Sequence, residues 1–178
     1  ITENQFLGID KIKFLHLEGL TSLPEGFNPT VEGNLDLEGL TSIPKEFNPT
    51  VGGNLYLESL TVVPNNFHPI VGGSLHLLNL KSIPEGFNPT VGGSLDLSNT
   101  INIPENFNLK VGGSLHLSGV VILPKNFTPT VGGSLWLSGL TSISEGFNPI
   151  VEIDLIFSNL KLQPKDLNLT VGGCLSIA

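Results

Sequence analysis

The 178-residue chain has no arginine and no methionine, one cysteine, one tryptophan and one tyrosine. Each absence removes a class of explanation. All eight basic residues are lysines, against sixteen acidic residues, for a formal charge of −8. Arginine supplies most bidentate contacts to phosphates and bases, and an acidic chain is repelled by a phosphate backbone, so no nucleic-acid partner is expected. With Cys174 alone there can be no internal disulfide and no cysteine-rich metal site. No apolar run reaches the length needed to cross a bilayer, so no membrane insertion is expected. Methionine is missing even at position 1, the expectation for a processed form or a piece of something longer.

What the chain does have is a period of 20 residues, reading V-G-G-S-L-x-L-x-x-L-T-S-I-P-x-x-F-N-P-T. Self-similarity at such a period marks a solenoid, in which no unit buries a core alone. The expected organisation is one repeat domain over residues 1–178. Residues 1–10 form a lead-in or partial cap, 11–170 hold eight full repeats, and 171–178 begin a ninth. In Asn34-Leu35-Asp36-Leu37-Glu38 polar and apolar residues alternate, the pattern of a strand with one buried face. Its equivalents run from Leu15 and Leu17 to Leu175 and Ile177 and predict nine parallel strands, one per coil, about 40 Å from end to end. Gly52-Gly53 and their equivalents are expected to supply a sharp bend before the strand. They are not a phosphate loop, since no Gly-Lys-Ser/Thr follows.

Beyond the strand, Ile43 is expected to point inward, and Pro44 argues for an extended or turning back rather than a second sheet. Phe27, Phe47, Phe67, Phe87, Phe107, Phe127 and Phe147 predict a buried aromatic spine. Thr30, Thr50, Thr90, Thr130 and Thr170 make a partial threonine row. Ile70, Lys110 and Ile150 interrupt it, too often for an ice-binding array. No segment has a helical period. The fold class is therefore a β-rich solenoid with one short parallel strand per coil and little or no helix on its other side.

Leu-Thr-Ser-Leu-Pro-Glu-Gly-Phe at 20–27, followed by Leu-Asp-Leu at 35–37, resembles bacterial leucine-rich repeats, including the short-unit class found in secreted effectors. It resembles still more closely bacterial and phage repeat proteins with runs such as L-P-E-G-L-x-V-G-G-x-L-x-L. The resemblance covers nearly the whole chain. It implies a solenoid with its strands on a concave face, protein binding as its use, and a secreted or cell-surface location. Two features depart from the pattern. The position after the strand reads Gly19, Gly39, Ser59, Asn79, Asn99, Gly119, Gly139 and Asn159, so a continuous asparagine ladder is absent there. The cysteine-bearing ubiquitin-transfer domain of the effector class has no counterpart.

Between the two buried leucines of each strand one outward residue changes type from unit to unit: His16, Asp36, Tyr56, His76, Asp96, His116, Trp136, Ile156 and Ser176. The only Trp and the only Tyr both fall in this row, and these residue types dominate binding hot spots. The next outward position carries Glu18, Glu38 and Glu58 and then turns to Leu78 and serines, so the N-terminal half of the surface favours a basic partner. These residues are the candidate partner-binding set. His76, Asp96 and His116 occupy three successive rungs, but the histidines lie about 10 Å apart at the backbone, wide for one zinc ion. Ordinary contact residues are therefore the preferred reading over a metal site.

The nearby serines have no identifiable oxyanion hole, so no enzyme activity and no cofactor are expected. The expected function is a non-catalytic scaffold that binds a protein, or a glycan, through this row. The alternative is a structural rod of a surface layer, fibre or filament that associates end to end.

Overall fold

The structure is a computed structural model that describes residues 12–17, 19–105, 107–161 and 169–177. The predicted strands form one nine-stranded parallel sheet, from Leu15–His16 through Leu35–Asp36, Leu55–Tyr56 and their successors to Leu155–Phe157 and Leu175–Ile177. The register advances by 20 residues: Leu35 pairs with Leu55, Leu55 with Leu75, and Leu75 with Leu95. Among the described residues there is no helix. The chain is a β-solenoid of stacked 20-residue coils, and none of its helices could cross a membrane because none is present among those residues.

A second ladder accompanies the first. Thr30–Val31, Thr50–Val51 and their equivalents to Thr170–Val171 pair into an eight-stranded parallel sheet. Pro44 was expected to rule out a second sheet, but this ladder forms beyond its turn, and Pro29 and Pro49 precede it. Their carbonyls accept from Thr50 N–H and Ile70 N–H, both at 3.1 Å, so the missing proline N–H falls outside it. Each of these strands turns its valine inward and its Thr, Ile or Lys outward.

The core repeats with the coils. Val31, Leu35, Leu37, Leu40 and Phe47 and most of their equivalents are buried, and Ile43, Ile103 and Ile143 pack against them. The phenylalanines from Phe27 to Phe147 form the expected spine, with successive ring centroids 6.1–6.4 Å apart. Thr100, fully buried where other coils carry Leu or Val, donates its hydroxyl to Leu80 O at 3.0 Å. That bond removes the cost of an unpaired polar group in the core.

Tight turns close each coil. Leu40 N–H returns to Leu37 O at 3.0 Å after the strand, and Phe47 N–H returns to Pro44 O at 3.1 Å on the far side. The residue just before the phenylalanine sits in the left-handed region at Gly86 (φ 72°) and Asn66 (φ 61°), which is why Gly or Asn stands before every phenylalanine of the spine but Phe47, which follows Glu46. The paired glycines before the strand do not share that conformation. They form the expected bend, and they also permit close approach between coils. A Cβ on Gly52 would overlap the Glu32 carbonyl oxygen, and one on Gly73 the Asn54 side chain. The glycine backbones instead bond directly, Gly93 N–H to Gly73 O at 2.8 Å and Gly113 N–H to Gly93 O at 2.7 Å. Glu152 and Ile153 carry side chains at the same steps, and nothing in the structure explains how these are accommodated.

A polar ladder runs beside the first strand of every coil. Each coil's side-chain oxygen just before the buried leucine accepts the backbone N–H of the next coil. The bonds run Asn54 N to Asn34 Oδ1 (2.9 Å), Ser74 N to Asn54 Oδ1 (2.8 Å) and Ser94 N to Ser74 Oγ (3.0 Å). They continue to Ser114, Ser134, Asp154 and Cys174. Serine, asparagine and aspartate are interchangeable here because each places an acceptor close to the main chain. A second asparagine ladder follows the phenylalanine: Asn28 Oδ1 accepts Asn48 N at 2.5 Å, and Asn48 Oδ1 accepts His68 N at 2.7 Å. Where asparagine does follow the strand it also bridges coils, Asn79 Nδ2 to Glu58 O at 2.9 Å and Asn159 Nδ2 to Ser138 O at 2.7 Å.

Candidate binding surface

The nine-stranded sheet sets the variable row in register: from Asp36 to Ile156 each row residue follows a fully buried leucine in a two- or three-residue strand, while Leu15 is partly buried and Leu175 exposed. His16 pairs with Asp36, Asp36 with Tyr56, Tyr56 with His76, His76 with Asp96, Asp96 with His116, His116 with Trp136, and Trp136 with Ile156. The row is a single file on one face. His16, Trp136 and Ser176 are exposed, and the others are half-buried by their neighbours. Of the flanking glutamates, Glu38 is exposed and Glu58 half-buried, while Glu18 lies outside the described residues.

Side chains within the row associate in pairs. His16 Nδ1 lies 3.3 Å from Asp36 Oδ2, while Asp36 Oδ1 accepts the Glu38 N–H at 3.2 Å. Tyr56 and His76 stack with centroids 4.8 Å apart and planes 20° from parallel. His116 and Trp136 stack at 5.8 Å and 9°. Between the two stacks stands Asp96, whose Oδ1 accepts Ser98 N–H at 2.9 Å and Ser98 Oγ–H at 2.5 Å. The two histidines that flank Asp96 in sequence register are thus engaged by aromatic neighbours on opposite sides. His76, Asp96 and His116 do not converge, and among the described residues no group of three His, Cys, Asp or Glu side chains could hold a metal ion.

The face is acidic. None of the eight lysines falls in the strand segments 34–38, 54–58 or their 20-residue equivalents, whereas Asp36, Glu38, Glu58 and Asp96 do. Glu58 is the unusual member. Its Oε2 is buried with no hydrogen-bond partner, and its Oε1 is 4.0 Å from His76 Nδ1. Burial pushes its carboxyl above the ordinary value of 4.5, a hydrogen bond from its own backbone opposes this, and the charges of Glu38, Asp36 and Asp96 add to the rise. Burial likewise holds the His76 imidazole below its ordinary 6.5, against the pull of Asp96 and Glu38.

For Glu58 the sign follows directly. Above pH 4.5 the folded chain holds this proton more tightly than the unfolded chain, so stability falls as pH rises through the raised value. Glu58→Gln is expected to melt higher than the parent near neutral pH and to converge with it below pH 4.5, as read by calorimetry across pH. Equal melting at both ends of the range would show that the buried oxygen costs nothing.

Sequence reading located the row and its polarity but missed the stacks, the Asp96–Ser98 lock and the strained position of Glu58. A signal for the stacks was present: Tyr-then-His and His-then-Trp occur at a spacing of 20, the spacing that makes two side chains neighbours in this fold. Comparison of the chain with protein-family models, with curated proteins and with solved structures finds no match.

Proposed function

We propose that the chain is a non-catalytic binding scaffold, of leucine-rich-repeat type, that recognises a protein partner through the row from His16 to Ile156. The observation that carries this reading is the contrast between that row and everything around it. Core, glycine and ladder positions are each held to a narrow chemistry, whereas the row changes type at nearly every coil and carries the only Trp and the only Tyr. Tyr56 and Trp136 each give one ring face to a histidine, which leaves less open platform for a sugar ring to stack on. This favours a polypeptide over a glycan. The carboxylates of Asp36, Glu38, Glu58 and Asp96, with no lysine among them, favour a basic one.

Trp136→Ala and Tyr56→Ala are each expected to weaken capture of the partner from cell-surface or secreted material by about 30-fold, the loss of a hot-spot side chain. Circular dichroism should be unchanged, because both side chains lie outside the core. Undiminished binding by both variants would place the interface elsewhere.

A further inference from the structure

We infer that the gap at Asp96 is a docking point for one cationic side chain of a polypeptide partner, and that His76 gates it with pH. The inference rests on the proposed binding role of the row and names the chemistry of one contact within it.

The gap follows from register. Asp96 is the direct Cα partner of both His76 and His116. Each imidazole stacks with the ring on its far side, Tyr56 at 4.8 Å or Trp136 at 5.8 Å, so an aromatic plate stands on either side of a short residue. Two rungs span about 9.6 Å, and subtracting one ring thickness leaves about 6 Å, enough for an ammonium or guanidinium group with a ring on each side. The floor is preorganised: Ser98 fixes Oδ1 through its N–H and its hydroxyl, while Asp96 Oδ2 has no hydrogen-bond partner among the described residues.

Asp36 supplies the contrast. It has the same backbone lock, from Glu38 N–H, but its second oxygen already has His16 Nδ1 at 3.3 Å. At Asp96 neither neighbouring imidazole makes a hydrogen bond or ion pair with the carboxylate among the described residues, and no lysine lies on the strand segments of this face. The second oxygen is open to a counter-ion from outside the chain.

The same neighbours supply the gate. His76 faces Tyr56 and Glu58 on one side and Asp96 on the other, with Glu38 and His116 also within electrostatic reach. His116 faces Trp136 and Asp96. At neutral pH the His76 ring, held below its ordinary 6.5 by burial, is an uncharged wall. When it protonates it becomes a cation beside the carboxylate, satisfies it and repels a second cation. Affinity for the cationic side chain is therefore present at neutral pH and lost as pH falls and His76 protonates.

The test is a solution NMR titration that reads the ring protons of His76 and His116, with Nα-acetyl-lysine amide and Nα-acetyl-arginine amide as probes and Nα-acetyl-glutamine amide as the neutral control. The expected result is saturable shifts at both imidazoles with the cationic probes at about pH 8, and affinity about tenfold lower at about pH 5. Asp96→Asn keeps the Oδ1 acceptor for Ser98 and should lower affinity about tenfold at about pH 8. His76→Gln, which removes one wall, should bind more weakly at about pH 8, read at the His116 ring protons, and lose most of its pH dependence. Equal shifts in Asp96→Asn, equal shifts with the neutral probe, or no change between the two pH values would overturn the inference. Captured partner separates this from the broader reading. If Trp136→Ala releases it and Asp96→Asn does not, the docking point falls and the binding row stands; if neither does, both fall.

Discussion

Phe67→Ala is expected to lower the unfolding free energy by about 3–5 kcal/mol, the largest single effect in the chain. Phe67 is fully buried, with Phe47 at 6.4 Å on one side and Phe87 at 6.1 Å on the other. Truncation removes the transfer energy of one ring, empties a layer of the spine and leaves two more rings each short of a stacking neighbour. Little can relax to fill the space, because the coil above and the coil below are tied at fixed spacing by both ladders. A solenoid communicates only between adjacent units, so the defect divides the rod near its middle. Denaturant unfolding followed by circular dichroism checks this. Phe67→Leu, which preserves most of the volume, should lose less than half as much. A loss below about 1 kcal/mol for the alanine variant would mean that the spine is not a stacked core.

The second expected result concerns an outwardly modest residue. Ser114→Ala should cost about 1–2 kcal/mol, although it deletes only a hydroxyl from a half-buried position. Ser114 Oγ accepts Ser134 N–H at 3.0 Å, and Ser114 N–H donates to Ser94 Oγ at 3.0 Å. Alanine keeps the second bond and breaks the first, leaving the Ser134 N–H without its acceptor between stacked coils. Ser114→Asn supplies the control. Asn34 and Asn54 perform the same task in earlier coils, so the asparagine variant should unfold close to the parent in urea. If alanine and asparagine unfold alike at the parent's midpoint, the ladder contributes nothing.

The difference between what was legible in the sequence and what was not has a physical origin. The strand, the inward leucines and the phenylalanine spine are properties of one coil, visible in the alternation of Asn34-Leu35-Asp36-Leu37-Glu38 and in the recurrence of Phe47. The missed features exist only between coils. The acceptor role of Ser94, Ser114 and Asp154 is invisible until the position is seen as a row, each serving the next coil's N–H. Gly52 reads as a bend, and only the Glu32 carbonyl against it shows the close approach as well. Pro44 reads as ruling out a second sheet until a ladder is found beyond its turn at Thr50–Val51. The same holds for the binding row. His76 and His116 bracket Asp96 in the sequence register, yet each is held by an aromatic neighbour one coil further out. Reading position against position at a spacing of 20, rather than along the chain, would have exposed all of these.

Side-chain footprinting by hydroxyl radicals, with and without captured partner, tests most directly whether recognition runs through the variable row. Trp136, Tyr56, His76 and His116 are oxidisable and lie in that row, while Val62 and Ile122, 61% and 69% exposed, lie on the segment after the strand and outside the row. The expected result is protection of Trp136, Tyr56 and the two histidines by the partner, with Val62 and Ile122 unchanged. Protection of Val62 and Ile122 with Trp136 still freely oxidised would contradict it.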